Sequence, residues 1–84
     1  MKRVVIYGRE GCCLCDEALD VLERVRSRHP GALSLEYVDI ETDQALLRRH
    51  LERIPVVEID GAEAFELTVE ESELELRLGI VRTG

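Results

Sequence analysis

The sequence predicts an α/β fold in which a βαβ unit is followed by αββα, giving a mixed four-stranded sheet flanked by helices. Three observations predict it. An apolar run, Val4-Val5-Ile6-Tyr7, leads into a segment with helical apolar spacing and then into a second strand-like segment. A further apolar run, Pro55-Val56-Val57-Glu58-Ile59, ends in Asp60-Gly61, a hairpin signal. Short segments opened by capping residues separate and follow these runs.

The first strand covers Arg3 to Tyr7, since four consecutive apolar residues rich in β-branching meet the breaker Gly8. From Cys13 to about Arg28, Leu14, Ala18, Val21, Leu22 and Val25 fall on one helical stripe. Arg24, Arg26 and Arg28 suit the negative pole of that helix, and His29-Pro30-Gly31 stops it. Leu33 to Asp39 alternates Leu35 and Tyr37 against Glu36 and Val38, a second strand parallel to the first because a helix joins them. Thr42 and Asp43 are set to cap a short helix through Leu51, with Leu46, Leu47 and His50 inward and Arg48 and Arg49 toward solvent.

The third strand opens with Pro55, where a missing donor is tolerated, and the hairpin returns through Ala64 to Leu67. A closing helix is expected from Val69 to Leu78, with Thr68/Glu71 and Ser72/Glu75 as capping boxes and Gly79 as its stop. Leu74, Leu76 and Leu78 alternate with charged residues, so a strand competes for this stretch.

With 84 residues, the chain is expected to form one domain over 1–84. Its 45% apolar and 35% charged residues are those of an ordinary globular protein, and no apolar run is long enough to cross a bilayer. Met1-Lys2-Arg3 is basic, but Val4 to Tyr7 is far too short for a secretory segment, so a cytoplasmic location is expected. The formal charge is −7, and from Glu58 onward eight acidic residues face only Arg77 and Arg82. Such a surface repels phosphate backbones and anionic membrane, which argues against nucleic-acid and membrane partners.

Three cysteines within four positions cannot tie distant segments together, so they are catalytic or metal-binding. In Gly11-Cys12-Cys13-Leu14-Cys15 the outer pair stands three apart at a helix start, where both side chains share one face within disulfide reach. Cys12 also meets unsatisfied N–H groups and the positive end of the helix, which favour thiolate. Cys13 points about a hundred degrees away around the helix and is read as an auxiliary thiol.

The element order, the cysteine pair opening the first helix in Tyr7-Gly8-Arg9-Glu10-Gly11-Cys12-Cys13-Leu14-Cys15, then Val38-Asp39-Ile40 and Ile54-Pro55-Val56-Val57, resemble the thioredoxin fold. Within it the chain is most similar to a small glutaredoxin-like protein. The resemblance implies a cis bond at Ile54-Pro55, with Ile54 brought against the Cys12 sulfur so that its backbone can hold a substrate. It departs from glutathione-using members at Cys13-Leu14, where they carry Pro-Tyr, and at Asp60-Gly61-Ala62-Glu63, where they carry a Gly-Gly turn before acidic residues. The tryptophan that usually precedes the first cysteine in thioredoxins is absent.

The expected activity is thiol–disulfide exchange: Cys12 attacks a protein or small-molecule disulfide and Cys15 resolves the mixed disulfide. Ile54, Pro55, Arg9 and Arg53 are candidate substrate-binding residues, the arginines for an acidic partner or a glutathione carboxylate. No resident cofactor or metal is expected; glutathione or a reductase stands as the candidate reductant. His29 and His50 are placed at helix ends away from the cysteines, so a zinc site with them is not expected. A thiolate carrier of metal or an iron–sulfur cluster through Cys12, Cys13 and Cys15 remains an alternative, as does a binding module with incidental cysteines.

Overall fold

The computed structural model describes residues 1–80. In chain order it holds β1 (Lys2–Gly8), α1 (Cys13–Arg28), β2 (Leu33–Asp39), a 3₁₀ turn (Ile40–Thr42), α2 (Gln44–His50), β3 (Val56–Ile59), β4 (Ala62–Glu66) and α3 (Glu71–Arg77). The sheet order is β2-β1-β3-β4. β1 runs parallel to β2 and antiparallel to β3, and β3 runs antiparallel to β4, so the expected mixed sheet is present.

The apolar run of β1 follows from its central place, because a strand covered on both faces needs apolar residues on both. Val4 and Ile6 point to one side, where they join Ala18, Leu22 and Val25 of α1, Leu33, Val57, and Leu74 and Leu78 near α3 in one core. Tyr7 belongs to a second cluster with Cys12, Cys15, Ile40, Leu46, Leu47 and Ile54. Leu46 and Leu47 of α2 pack on this second cluster, which holds Cys15 in its buried centre.

The hairpin is anchored by Asp60. Asp60 and Gly61 both take positive φ, 52° and 86°, the conformation a tight two-residue turn requires. The Arg3 N–H donates to the Asp60 carboxylate at 2.8 Å, and the Asp60 N–H donates to the Arg3 carbonyl at 2.8 Å. The first of these bonds holds the Asp60 carboxyl below its ordinary pKa, helped by Lys2. The turn is thereby fixed to β1.

Several expectations need correction at the element ends. α3 starts at Glu71, not Val69, and neither capping box forms: its N-cap is Glu70, without a side-chain cap bond, and the Ser72 hydroxyl donates to the Glu70 carboxylate at 2.8 Å. The cause is upstream, where Leu67 at φ 70° and a 2.8 Å bond from the Thr68 N–H to the Glu66 carbonyl turn the chain first. Thr42 belongs to the 3₁₀ turn and leaves the capping of α2 to Asp43, which accepts from the Ala45 N–H at 2.8 Å. The return strand begins at Ala62, two residues before the expected Ala64, because the turn takes only Asp60 and Gly61.

The helix-or-strand competition over Leu74 to Leu78 resolves to helix, since Leu74 and Leu78, one turn apart, are buried while Leu76 is 71% exposed. The helix ends in paired bonds from the Gly79 N–H to the Leu76 carbonyl and from the Ile80 N–H to the Glu75 carbonyl, a Schellman closure. Tyr37, on the edge strand β2, is 44% exposed. No helix among the described residues is long and apolar enough to cross a membrane.

Replacing Leu74 with Ala is expected to cost about 2–5 kcal/mol of folding stability, and replacing Leu76 with Ala about 0.5 kcal/mol or less, read from denaturant midpoints. Equal costs at the two positions would contradict the helical placement.

Candidate active site

Cys12 is the N-cap of α1, in extended conformation at φ −90° and ψ 110°. Its carbonyl accepts the first helical bond, from the Asp16 N–H at 3.1 Å, and its sulfur accepts from the Cys15 N–H at 3.1 Å. A side chain at this position satisfies a backbone donor that a helix otherwise leaves open. Cys12 and Cys15 are joined as a disulfide with Cα atoms 5.2 Å apart, inside the range a disulfide spans without backbone movement.

The two sulfurs are unequal in exposure. Cys12 is half-buried, whereas Cys15, one turn inside the helix, is 1% exposed and packs against Ile40 and Ile54. Cys13 is exposed and unpaired, turned off the shared face as its helix position dictates.

Cys15 rests on Gly8. A Cβ at Gly8 would lie 3.0 Å from the Cys15 sulfur, 3.2 Å from its Cβ and 3.1 Å from the Tyr37 hydroxyl. The end of β1 thus needs a residue without a side chain for the first turn of α1 to seat. Tyr37 reaches over the same spot from β2. Burial, followed by the nearby Asp39, Asp16 and Glu10, raises its phenol above the ordinary pKa, so it stays protonated.

Behind the pair stands a polar stack. Tyr7 faces the buried ring of His50 with centroids 4.8 Å apart, and its hydroxyl donates to the Glu58 carboxylate at 3.0 Å. His50 stands at the C-terminal end of α2, and its ring contacts Tyr7, which in turn packs against the cysteine cluster. His50 is 1% exposed and its Nδ1 has no hydrogen-bond partner among the described residues. Burial, with Arg49 and Arg53 adding to it, lowers its pKa and keeps the ring neutral near pH 7. His29 lies elsewhere, 3.2 Å from Glu75.

The remaining expected site residues are placed as follows. Ile54 is in the Cys15 cluster, Pro55 is fully buried beside it, and the bond between them is cis. Arg9 is bound to Glu41 at 2.7 Å. Arg53 is held by Glu66 at 2.7 Å and also by Glu63. Both arginines are therefore matched by carboxylates of the chain itself, partners that are distant in sequence or on another element. Among the described residues no three His, Cys, Asp or Glu side chains converge as metal ligands. Gly8, Tyr37 and His50 were not legible as site residues, because what recruits them is the parallel register of β1 and β2 and the fold-back of α2, neither of which leaves a local motif.

Changing Gly8 to Ala is expected to destabilise the protein by about 1–3 kcal/mol and to slow re-formation of the Cys12–Cys15 bond after reduction, since the added methyl presses on Cys15. Stability should also depend on His50. Its ring binds a proton more readily unfolded than folded, so this contribution is complete above about pH 6.5 and is lost as pH falls through the lowered folded value. Urea titrations of wild type and His50→Leu across that window should show a steeper acid loss in the wild type.

The family model of the glutaredoxin-like domain (DUF836) matches residues 3–79. Among solved structures, protein Ne2328 from Nitrosomonas europaea, determined by solution NMR, is 26% identical with a TM-score of 0.74, over 90% of this chain and 89% of that one. Protein XcR50 from X. campestris, an X-ray structure, is 26% identical with a TM-score of 0.71, over 94% of this chain and 99% of that one. No curated protein matches the chain. With a mixed four-stranded sheet, a cysteine pair closed at the head of α1 and a family match spanning nearly every residue described, the chain has the thioredoxin-like fold and belongs to the glutaredoxin-like domain family (DUF836).

Proposed function

We propose that the protein is a thiol–disulfide oxidoreductase in which Cys12 is the nucleophile and Cys15 the resolving thiol. The observation that carries this is the place of Cys12 at the head of a sixteen-residue helix, within disulfide reach of Cys15 and accepting its N–H. In the reduced protein that N–H and the helix terminus both favour the Cys12 thiolate, the terminus by about 0.3–1 kcal/mol. Asp16 opposes this from an exposed position, where water and salt weaken it.

The Cys12 thiolate attacks one sulfur of the substrate disulfide, forms a mixed disulfide and expels the other sulfur as a thiolate, which takes a proton. Cys15 then gives up its proton and attacks the Cys12 sulfur, closing Cys12–Cys15 and releasing the second substrate thiol. Two electrons and two protons pass to the substrate. A thiol reductant, glutathione or a dithiol reductase, returns the pair to its reduced form by the same exchange in reverse.

Ile54 and Pro55 flank the cysteine cluster and are assigned to seating the substrate chain, its backbone against Ile54. Arg9 and Arg53, each engaged by carboxylates of the chain, serve the rim of the site rather than gripping an anion. The burial of Cys15 supports the order of attack, because an incoming disulfide meets Cys12 first. Disulfide-bearing proteins and small disulfides are the proposed substrates.

Cys12→Ser is expected to abolish turnover of a small disulfide, and Cys15→Ser to accumulate a mixed disulfide on Cys12 detectable by mass spectrometry. Cys13→Ser should keep most of the activity; an inactive Cys13 variant would mean that the working pair is different.

A further inference from the structure

Among the described residues every lysine and arginine other than Arg48 and Arg49 has a carboxylate oxygen within 3.7 Å. In a chain with 18 acidic and 11 basic residues, two neighbouring arginines left unpaired do not reflect a shortage of acids. Both are exposed on α2, the helix that packs over the cysteine cluster.

The arginines also have apolar company. Leu47 is half-buried and packs on the Cys15, Ile40 and Ile54 cluster that also contains Cys12. Leu51, four residues on and hence on the same side of the helix, is 42% exposed. With Arg48, Arg49, Glu52 and Arg53, the two leucines line an open hollow of about 420 Å³. Leu47 is common to that hollow and to the dithiol cluster, so the hollow borders the packing that seats the cysteines.

We propose that this face of α2 docks an acidic, leucine-compatible polypeptide segment of the disulfide partner and so selects the partner presented to Cys12. The proposal rests on the exchange reading above. Arg53 is already occupied by Glu63 and Glu66, so Arg48 and Arg49 against the single Glu52 leave the face positive. Neighbouring residues on a helix diverge by about a hundred degrees, so Arg48 and Arg49 suit several spaced carboxylates better than one small anion. A segment carrying several carboxylates spans them. The formal charge of −7 repels such a partner elsewhere, and with screening over about 8 Å the local cations decide where it lands.

The test uses fully reduced protein in single turnover with two synthetic peptides that share one disulfide-closed ring and differ only in a flanking tail, Glu/Leu or Lys/Leu. Bis(2-hydroxyethyl) disulfide, which is uncharged, is run beside them. The Glu/Leu peptide is expected to oxidise the wild type about tenfold faster than the Lys/Leu peptide at low salt, a ratio that shrinks as salt is added. That ratio should fall to one or below in Arg48→Glu/Arg49→Glu and persist in Arg48→Lys/Arg49→Lys, which keeps the charge. Equal rates for the two peptides, or a preference unmoved by charge reversal, overturn the docking while the uncharged disulfide still reports exchange. A loss with glutathione disulfide as large as with the acidic peptide would assign the arginines to a small anion and overturn it too. If neither peptide nor the uncharged disulfide oxidises the protein, the exchange reading itself fails and takes the docking with it.

Discussion

The structure depends on the close seating of the first turn of α1 on the end of β1, made where Gly8 leaves room for the Cys15 side chain. A bulkier residue there would lift the helix start and with it the Cys12 cap, the Cys15 N–H to sulfur bond and the short Cα separation of the pair. The position of β1 is in turn set by the sheet: it is paired on both edges, and its two faces are covered by different helices. A geometry of a few ångströms at the cysteine pair is thus imposed by a central strand of the sheet. Sites held by such elements keep their geometry better than sites carried on loops.

That arrangement separates two thiols only three residues apart into different environments. Cys12 is at the boundary with solvent and meets backbone donors, whereas Cys15 is enclosed by Ile40 and Ile54. Burial disfavours the charged form of a thiol and a helix start favours it, so the proposed exchange expects the two sulfurs of the reduced protein to differ. The polar groups nearby do not offset this. Tyr7 and Tyr37 are held protonated, and His50 is held neutral by burial, so none of them puts a full charge against the pair. Exposed carboxylates such as Asp16 act through water.

Much of the fold was legible because its signals are local. The stripe from Ala18 to Val25 reads as one helical face without reference to any partner: Ala18, Leu22 and Val25 are in the core and Val21 packs against it. Asp60-Gly61 reads as a turn because few residue pairs adopt two successive positive φ values. The cysteine pair was legible for the same reason, since its spacing on a helix start is a local fact. What escaped depends on distant partners. The capping boxes at Thr68 and Ser72 were sound local patterns overridden by the turn at Leu67. Arg9 and Arg53 resembled free cations until tertiary structure brought Glu41, Glu63 and Glu66 to them, while Arg48 and Arg49, which read as merely solvent-facing, proved to be the unmatched pair among the described residues.

The most direct test of the central claim is the pH dependence of alkylation of each cysteine in the fully reduced protein, resolved by mass spectrometry of the separate thiols. The account predicts that Cys12 reacts first and that its rate follows a thiolate titrating below the ordinary cysteine value of about 8.5. A Cys12 that titrates at or above that value, or a Cys15 that ionises before it, would contradict the account.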